Sequence, residues 1–387
     1  MYTGDNVQCV GMWMIQRLVI LNHKVVSDVI RSLEGVFGKM TVDRGKSHKF
    51  VGMNFELLEN GRLKILMKDY LEECIESFEQ IDGTIGIKPN SPGGHDLFEV
   101  NESSKRLNVN KSEMFHHIVA KLLFVTKRAR LDIEPTISFL CTRVTKSSDE
   151  DWLKLKRLLG YLKVTLDMPR LIGADSLSIV QSWADASYAV HPDMKGHTGG
   201  VTSFGHGLTH TECSKQKINT KSSTESEIVA ASDYLAHTVW LAGFMKEQGY
   251  PLSRKLFYQD NMSAIQIEKN GSVSSGKKSR HINIRYFFIK DILKREGIDV
   301  KHCPTERMIA DFLTKPLQGK LFKYLRDIIM GLAPFPMEER VELYENSNKM
   351  SIVEGRISES EKSSKYEPLK ENNTSWADVV KNGKSMK

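Results

Sequence analysis

Four acidic residues in the second half of the sequence stand at the ends of predicted strands or within predicted helices. They are Asp185, Glu225, Asp260 and Asp311. The first follows a strand predicted over 177–184, and the third follows a strand predicted over 255–259. If these two strands are central neighbours in one sheet, the four carboxylates can converge at one end of it.

Carboxylates that converge repel one another unless cations neutralise them. Mg²⁺ prefers carboxylate, phosphate and water oxygens as ligands. Two such ions about 3.5–4 Å apart activate a water molecule and stabilise the leaving oxygen of a phosphodiester. The residue types therefore indicate the chemistry of a two-metal nuclease, with Mn²⁺ as an alternative ion.

Each of these acids also has a purely structural interpretation. The two aspartates after strands suit turn or N-cap positions, where aspartate is favoured. Glu225 is the third residue after Ser222, which is the spacing of a capping box, and Thr224 with Glu227 offers the same spacing. Asp311 suits the solvated face of a helix. The set of four, rather than any one member, favours the metal site.

A second acidic pattern predicts a different chemistry. Asp185, Asp260 and Glu296 match the acidic spacing of integrases and transposases, because residues 261–295, 35 in all, separate the last two acids. However, Glu296 immediately precedes Gly297 at a predicted helix C-terminus, where the helix dipole disfavours an acid. A transferase of this DDE type is therefore the weaker alternative.

The sequence divides into seven predicted segments, one of which contains the elements that position the acids. These are an N-terminal segment (1–24), a small α+β unit (25–78), an exposed linker rich in Gly, Pro, Asn and Ser (79–110), a helical unit (111–172), an α/β domain (173–318), a C-terminal helix (319–332) and a polar disordered tail (333–387). In the α/β domain, three antiparallel strands precede an alternation of helices and strands, which is a mixed α/β order.

Composition narrows the class of protein. Of 387 residues, 40% are hydrophobic and 27% charged, which is typical of a globular protein. The five cysteines form no C-x-x-C pair, so neither a disulfide framework nor a zinc ribbon is expected, and the chain is predicted to be intracellular. No run approaches the roughly 20 apolar residues of a membrane helix, so no membrane partner is expected. A net charge of +7 permits a polyanionic partner.

Five segments of the α/β domain resemble the ribonuclease H domain of copia-type retrotransposon Pol polyproteins. They are SWADASY (182–188), KSSTESE (221–227), YQDNMSA (258–264), RHINIRYF (280–287) and PTERMIADFLTKPL (304–317). The resemblance implies a ribonuclease H-like, mixed five-stranded sheet with flanking helices. It implies that Asp185, Glu225, Asp260 and Asp311 hold two Mg²⁺ ions and cut the RNA strand of an RNA–DNA hybrid. It also implies other Pol or Gag products as partners, in cytoplasmic virus-like particles or in the nucleus.

The resemblance extends upstream to about residue 25. Residues 115–124, 127–133 and 151–158 are similar to the thumb and connection of the reverse transcriptase, and residues 38–42 and 50–53 are similar to the end of its palm. The 25–78 unit is therefore interpreted as a palm remnant, and residues 111–172 as the thumb and connection.

The polymerase motif Tyr-x-Asp-Asp is expected just before this segment, where the chain reads Met12-Trp13-Met14-Ile15. These residues require the codons ATG-TGG-ATG-AT, which read one nucleotide earlier as NAT-GTG-GAT-GAT. That frame encodes Tyr, His, Asn or Asp followed by Val-Asp-Asp. We therefore predict that residues 1–24 are an out-of-frame translation of the motif, and that the protein does not synthesise DNA.

Further residues are candidates for contacts with nucleic acid. Those for sugar hydroxyls are Ser222, Ser223 and Asn261, and those for phosphates are Lys277, Lys278, Arg280 and His281. Capping, turn and plain solvation are the alternative roles. Three hypotheses result: a metal-dependent ribonuclease H, a remnant that binds nucleic acid without cutting it, and the DDE-type transferase.

Overall fold

A computed structural model of the protein describes residues 8–12, 15–19, 23–42, 44–270 and 280–335. Lys277, Lys278 and nearly all of the predicted tail lie outside the described residues. The N-terminal segment contributes two antiparallel strands, β1 (Gln8–Met12) and β2 (Ile15–Val19). Its proposed out-of-frame origin is a matter of genomic sequence and stays a prediction.

The first half continues with the following elements: α1 (His23–Phe37), β3 (Ser47–Phe50), β4 (Met53–Leu57), β5 (Leu63–Leu66), α2 (Lys68–Asp82), α3 (Val109–Thr126), α4 (Glu134–Cys141), α5 (Asp149–Val164) and β6 (Arg170–Ala174). The second half comprises β7 (Ile179–Ser187), β8 (His197–Ser203), β9 (Gly205–His206), β10 (His210–Lys215), α6 (Ser223–Glu247), β11 (Arg254–Gln259), α7 (Met262–Asn270), α8 (Arg280–Glu296), β12 (Ile298–His302), α9 (Asp311–Thr314) and α10 (Gly319–Ile329).

The second half forms a five-stranded sheet in the order β10-β8-β7-β11-β12. β7, β8 and β10 pair antiparallel, whereas β11 is parallel to both β7 and β12. Helices α6 to α8 enclose a core on one face, and the other face joins a larger core with α9 and α10. This confirms the predicted α/β fold, a ribonuclease H-like mixed sheet in which β7 and β11 are central neighbours.

A second sheet links the unit at 25–78, which the sequence predicts to be a palm remnant, to the α/β domain. Its order is β3-β4-β5-β6-β9, with every pair antiparallel. Its last two strands come from residues more than a hundred positions downstream of β5, so the small α+β unit completes its sheet with strands from elsewhere in the chain. The larger core is likewise continuous, since it includes Leu71, Leu122, Leu158, Trp183 and Phe322.

The segment predicted as an exposed linker is instead partly buried. Ser91, Leu97 and Phe98 are buried, and Ser91 Oγ lies within hydrogen-bond distance of the Gly93 carbonyl oxygen (3.0 Å) and of Gln318 Oε1 (2.5 Å). The segment lies directly on α5, where a Cβ at Gly160 would stand 2.8 Å from the Ile87 carbonyl oxygen. The prediction of exposure fits most of the segment and fails at these residues, because composition indicates turns but does not show which surface the turns pack against.

Among the described helices, α6 has the length and hydropathy of a membrane span, and 50% of that window is buried inside the protein. In this structure α6 is the central core helix of the α/β domain.

We expect a fragment of residues 173–318 not to fold cooperatively. Its Trp183, Leu256 and Phe312 share a core with the helical unit, and it would also lose Arg170, whose buried guanidinium donates to the carbonyls of Arg128 (2.8 Å) and Leu208 (2.7 Å). Exposing that apolar face removes burial worth roughly 1.5–3 kcal/mol per large side chain. Thermal unfolding by circular dichroism should show a transition for residues 23–335 and none for the fragment. A sharp transition of the fragment would contradict this expectation.

Candidate metal centre

Three carboxylates meet at one end of the α/β sheet. Asp185 lies near the end of β7, Asp260 directly follows β11, and Glu227 reaches them from α6. Each offers an oxygen atom within 4.8 Å of the others. Because β7 and β11 are parallel neighbours, their carboxyl ends lie at the same edge, as the sequence predicted for Asp185 and Asp260.

The structure differs from the prediction at the second acid. The Glu225 carboxylate accepts a hydrogen bond from the backbone N–H of Lys221 (2.7 Å), and its own N–H donates to Oγ of the N-cap residue Ser222 (3.2 Å), so Glu225 is engaged at the start of α6 and is not among the convergent acids. At about 100° per residue, a position two residues along the helix points to almost the opposite side. Glu227 therefore faces the sheet, and it takes the place predicted for Glu225.

Asp311, the fourth predicted acid, lies at the start of α9 beside Asp185. Its Oδ2 is 2.7 Å from Lys315 Nζ, whereas its Oδ1 is buried without a hydrogen-bond partner. Burial and the charge of Asp185 raise the pKa of Asp311 to about 7. Asp311 is therefore subject to the same burial and repulsion between carboxylates as the three convergent acids.

Burial and mutual repulsion dominate the electrostatics of the centre. Burial, followed by the charges of Asp185 and Asp260, raises the pKa of Glu227 well above its usual range. Burial also raises the pKa of Asp185. Such shifts mean that several negative charges at this place are costly unless a cation compensates them.

The donor set fits a hard divalent cation. All the convergent ligand atoms are carboxylate oxygens, and Glu227 Oε2, like Asp311 Oδ1, is buried without a partner. Over the described ranges, no other set of three or more His, Cys, Asp or Glu side chains converges in this way. Oxygen donors of this kind suit Mg²⁺ or Mn²⁺, and metal binding would satisfy the two unpaired oxygens.

Neighbouring side chains fix the orientation of the acids. The Thr314 hydroxyl donates to Asp185 Oδ2, and the Thr305 hydroxyl is 3.2 Å from Asp260 Oδ2. Gln259 Oε1 accepts the backbone N–H groups of Asp260 (2.9 Å) and Asn261 (3.2 Å), which fixes the turn after β11.

A glycine on β8 allows α9 to approach. Gly199 pairs with Asp185 across the sheet, and a Cβ there would stand 2.7 Å from Thr314 Cγ2 and 2.9 Å from the Ala310 carbonyl oxygen. The lack of a side chain therefore lets α9 carry Asp311 next to Asp185.

We expect Gly199→Ala to shift α9 away from the sheet. The added methyl group meets backbone as well as side-chain atoms, so about 1–3 kcal/mol of stability should be lost. Metal-induced stabilisation, measured as the rise in melting temperature on adding Mn²⁺, should fall in parallel. Gly243→Ala is the matched control, because a Cβ there meets nothing within 4 Å. Equal behaviour of the two variants would contradict the role given to Gly199.

The predicted nucleic-acid contacts are only partly described. Ser222 caps α6, and Asn261 Oδ1 accepts the Ala264 N–H (3.0 Å) at the start of α7, so both have capping roles. Ser223 is exposed beside the acidic edge. Arg280 and His281 begin α8, but their side chains lie outside the described set.

Glu296, which the DDE alternative requires, ends α8. It pairs with Arg295 (3.1 Å) and is not among the convergent acids. The geometry therefore offers no support for the DDE-type transferase.

Comparison with known proteins finds retrotransposon Pol polyproteins among the relatives of this chain. The Pol polyprotein from transposon TNT 1-94 of Nicotiana tabacum is 25% identical over 298 residues, which are 74% of this chain and 22% of that polyprotein. The Pol polyprotein from transposon RE1 of Arabidopsis thaliana is 29% identical over 73% of this chain and 19% of its own length. The Ty1-BR Gag-Pol polyprotein of Saccharomyces cerevisiae is 23% identical over 77% of this chain and 18% of its own length. No protein-family model matches the chain.

These matches identify the chain as a relative of copia-type retrotransposon Pol polyproteins. The chain spans about a fifth of the length of the curated relatives that it matches.

Two solved structures match the chain at low similarity. A foamy viral protease–reverse transcriptase in complex with an RNA/DNA hybrid covers 77% of this chain and 41% of its own, with a TM-score of 0.38 and 11% identity. LC11-RNase H1 covers 35% of this chain and 92% of its own, with a TM-score of 0.27 and 15% identity. The fold assignment rests on the strand order of this protein rather than on these superpositions.

Proposed function

We propose that the protein is a metal-dependent ribonuclease H that hydrolyses the RNA strand of RNA–DNA hybrids. The proposal rests on one observation: two buried carboxylates, Asp185 and Glu227, converge with the half-buried Asp260 at the end of two parallel central strands, and Glu227 Oε2 is buried without a partner, as is Oδ1 of the neighbouring Asp311. Asp185, Glu227, Asp260 and Asp311 would hold two Mg²⁺ ions, or Mn²⁺ in their place. Homology to retrotransposon Pol polyproteins supports the same proposal.

The chain's own residues would bind the ions, orient the metal-binding carboxylates and shield part of the centre from solvent. Ions held by these carboxylates would supply Lewis-acid chemistry, namely activation of a water molecule and stabilisation of the leaving 3′ oxygen of the scissile phosphodiester. Asp185 is held by the Thr314 hydroxyl, and Asp260 by the Thr305 hydroxyl and the Gln259 turn, so both carboxylates have fixed orientations before substrate arrives. Glu227 is 5% exposed, so its carboxylate is shielded from solvent.

The substrate is proposed to approach from the exposed rim of this edge. Ser222 and Ser223 are exposed there, at the N-terminus of α6, where backbone N–H groups and the helix dipole favour phosphate. Recognition of 2′-hydroxyl groups would select the RNA strand. Other Pol or Gag products of the same element are the proposed protein partners, in the cytoplasm or in the nucleus.

The test is cleavage of an RNA–DNA hybrid by the full chain with Mg²⁺, with each strand labelled in a separate reaction. Cleavage should be confined to the RNA strand and should be lost in Asp185→Asn. Double-stranded DNA should remain intact. Cleavage that persists in Asp185→Asn would reject this site. Binding of the hybrid without cleavage would instead favour the alternative of an inactive nucleic-acid-binding remnant.

A further inference from the structure

A lysine at the end of α9 places its ammonium group inside the acidic centre. Lys315 Nζ is 2.7 Å from Asp311 Oδ2, and the negative charges of Asp185 and Asp260 also act on it. Lys315 is the C-cap residue of α9, where the backbone turns extended (φ −124°, ψ 139°), so its side chain returns toward the first residue of the helix. The centre therefore contains one positive charge supplied by the chain itself.

The position of this charge divides the centre into two unequal halves. Asp185, Glu227 and Asp260 converge within 4.8 Å. Asp311, in contrast, already has one of its two oxygens occupied by the ammonium group. A divalent ion at Asp311 would stand within a few ångströms of this ammonium, where like charges repel strongly in a partly buried setting.

The lysine can also move. Its side chain is 40% exposed, whereas that of Asp311 is 12% exposed, so the ammonium group has a path to solvent that the carboxylate does not have. A lysine ammonium is a point charge on a flexible four-carbon stem. A phosphate of a bound nucleic acid would give the displaced ammonium a new partner at the rim.

We propose that Lys315 is a built-in counter-ion that occupies the Asp311 half of the centre, so that the free protein binds one divalent ion and admits the second with the substrate. The inference rests on the proposed function, since it concerns the same metal centre. Lys315 is a positioning residue in this scheme, because it acts through Asp311. It couples loading of the second ion to the arrival of a phosphate that replaces the carboxylate as its partner.

The experiment is to count the Mn²⁺ ions bound by the full chain without nucleic acid, from the electron paramagnetic resonance signal of the unbound ion. The wild-type protein should bind one ion. Lys315→Gln removes the charge and should bind two, with the second at least about ten-fold tighter than any second ion in the wild type. Lys315→Arg retains a cation and should restore a stoichiometry of one.

A double variant tests whether the second ion binds at Asp311. Lys315→Gln combined with Asp311→Asn should bind one ion, because the Asp311 carboxylate that would hold the second ion is then absent. Two ions in the wild-type protein, or one in Lys315→Gln, would overturn the inference and leave the metal centre intact. No binding in the wild type, or binding unaffected by Asp185→Asn, would overturn the metal centre itself and the inference with it.

Discussion

Glu227→Gln should abolish cleavage of an RNA–DNA hybrid, whereas Glu225→Gln should retain it. Glu227 and Asp185 are buried and converge with the half-buried Asp260, while Glu225 is hydrogen-bonded at the N-terminus of α6. Loss of one preorganised electrostatic contact to a transition state, such as an oxyanion-hole donor, costs about 10²–10³ in rate, and a loss of at least that order is expected here. The pair is well matched, because both changes replace a glutamate by its neutral isostere within one turn of the same helix.

The same pair separates a functional defect from a folding defect. Burial and the neighbouring carboxylates raise the pKa of Glu227, so a neutral side chain there relieves repulsion in the metal-free protein. The melting temperature of Glu227→Gln should therefore stay the same or rise relative to the wild type, while the response of this variant to added Mn²⁺ is lost. Glu225→Gln should respond to Mn²⁺ as the wild type does. Cleavage lost in Glu225→Gln and kept in Glu227→Gln would instead support the assignment predicted from the sequence.

Asp132→Ala should cause the largest loss of stability. Arg130 and Asp132 are completely buried and form a two-point ion pair, with hydrogen bonds of 2.9 and 2.8 Å. Arg130 also donates to the Thr165 carbonyl (2.9 Å), and the Tyr161 hydroxyl donates to Asp132 (2.7 Å). Removing one partner of such a pair leaves a buried charge uncompensated, at a cost of about 3–5 kcal/mol.

Equilibrium unfolding in urea would measure this cost. Asp69→Ala is the control, because Asp69 also pairs with a cation, Lys49 (2.8 Å), but on the surface, and its loss should leave the midpoint nearly unchanged. Replacing both buried partners, as in Arg130→Met with Asp132→Leu, should recover part of the loss, since no unpaired charge remains. A midpoint of Asp132→Ala equal to that of the control would show that the pair contributes nothing.

The pKa of Asp132 fixes the pH range of this effect. Burial alone would raise that pKa, but the charge and hydrogen bonds of Arg130 outweigh burial, and the pKa lies below its usual value. The pair therefore contributes fully above the unfolded-state value of about 3.9 and is lost only as the pH falls through the lower folded-state value. The stability difference between wild type and Asp132→Ala should thus be constant at neutral pH.

The sequence by itself determined the order of elements in the α/β domain and predicted three of the acids that lie at the centre. Strand and helix periodicity are local properties, so the mixed α/β domain and the long helix from Ser223 follow from neighbouring residues alone. Asp185 and Asp260 were placed correctly because a residue at the end of a strand lies at the edge of the sheet, whatever surrounds it. Only the parallel pairing of those two strands had to be assumed.

The tertiary structure decided what depends on distant contacts. Glu225 and Glu227 each follow a serine or threonine at capping-box spacing, so the local pattern cannot separate a cap from a ligand. The rotation of α6 about its axis is set by packing against the sheet, and that rotation buries Glu227. The partial burial of the 79–110 segment and the placement of Lys315 beside Asp311 have the same origin. Composition and spacing describe one segment at a time, whereas burial is a property of the surfaces that two segments share.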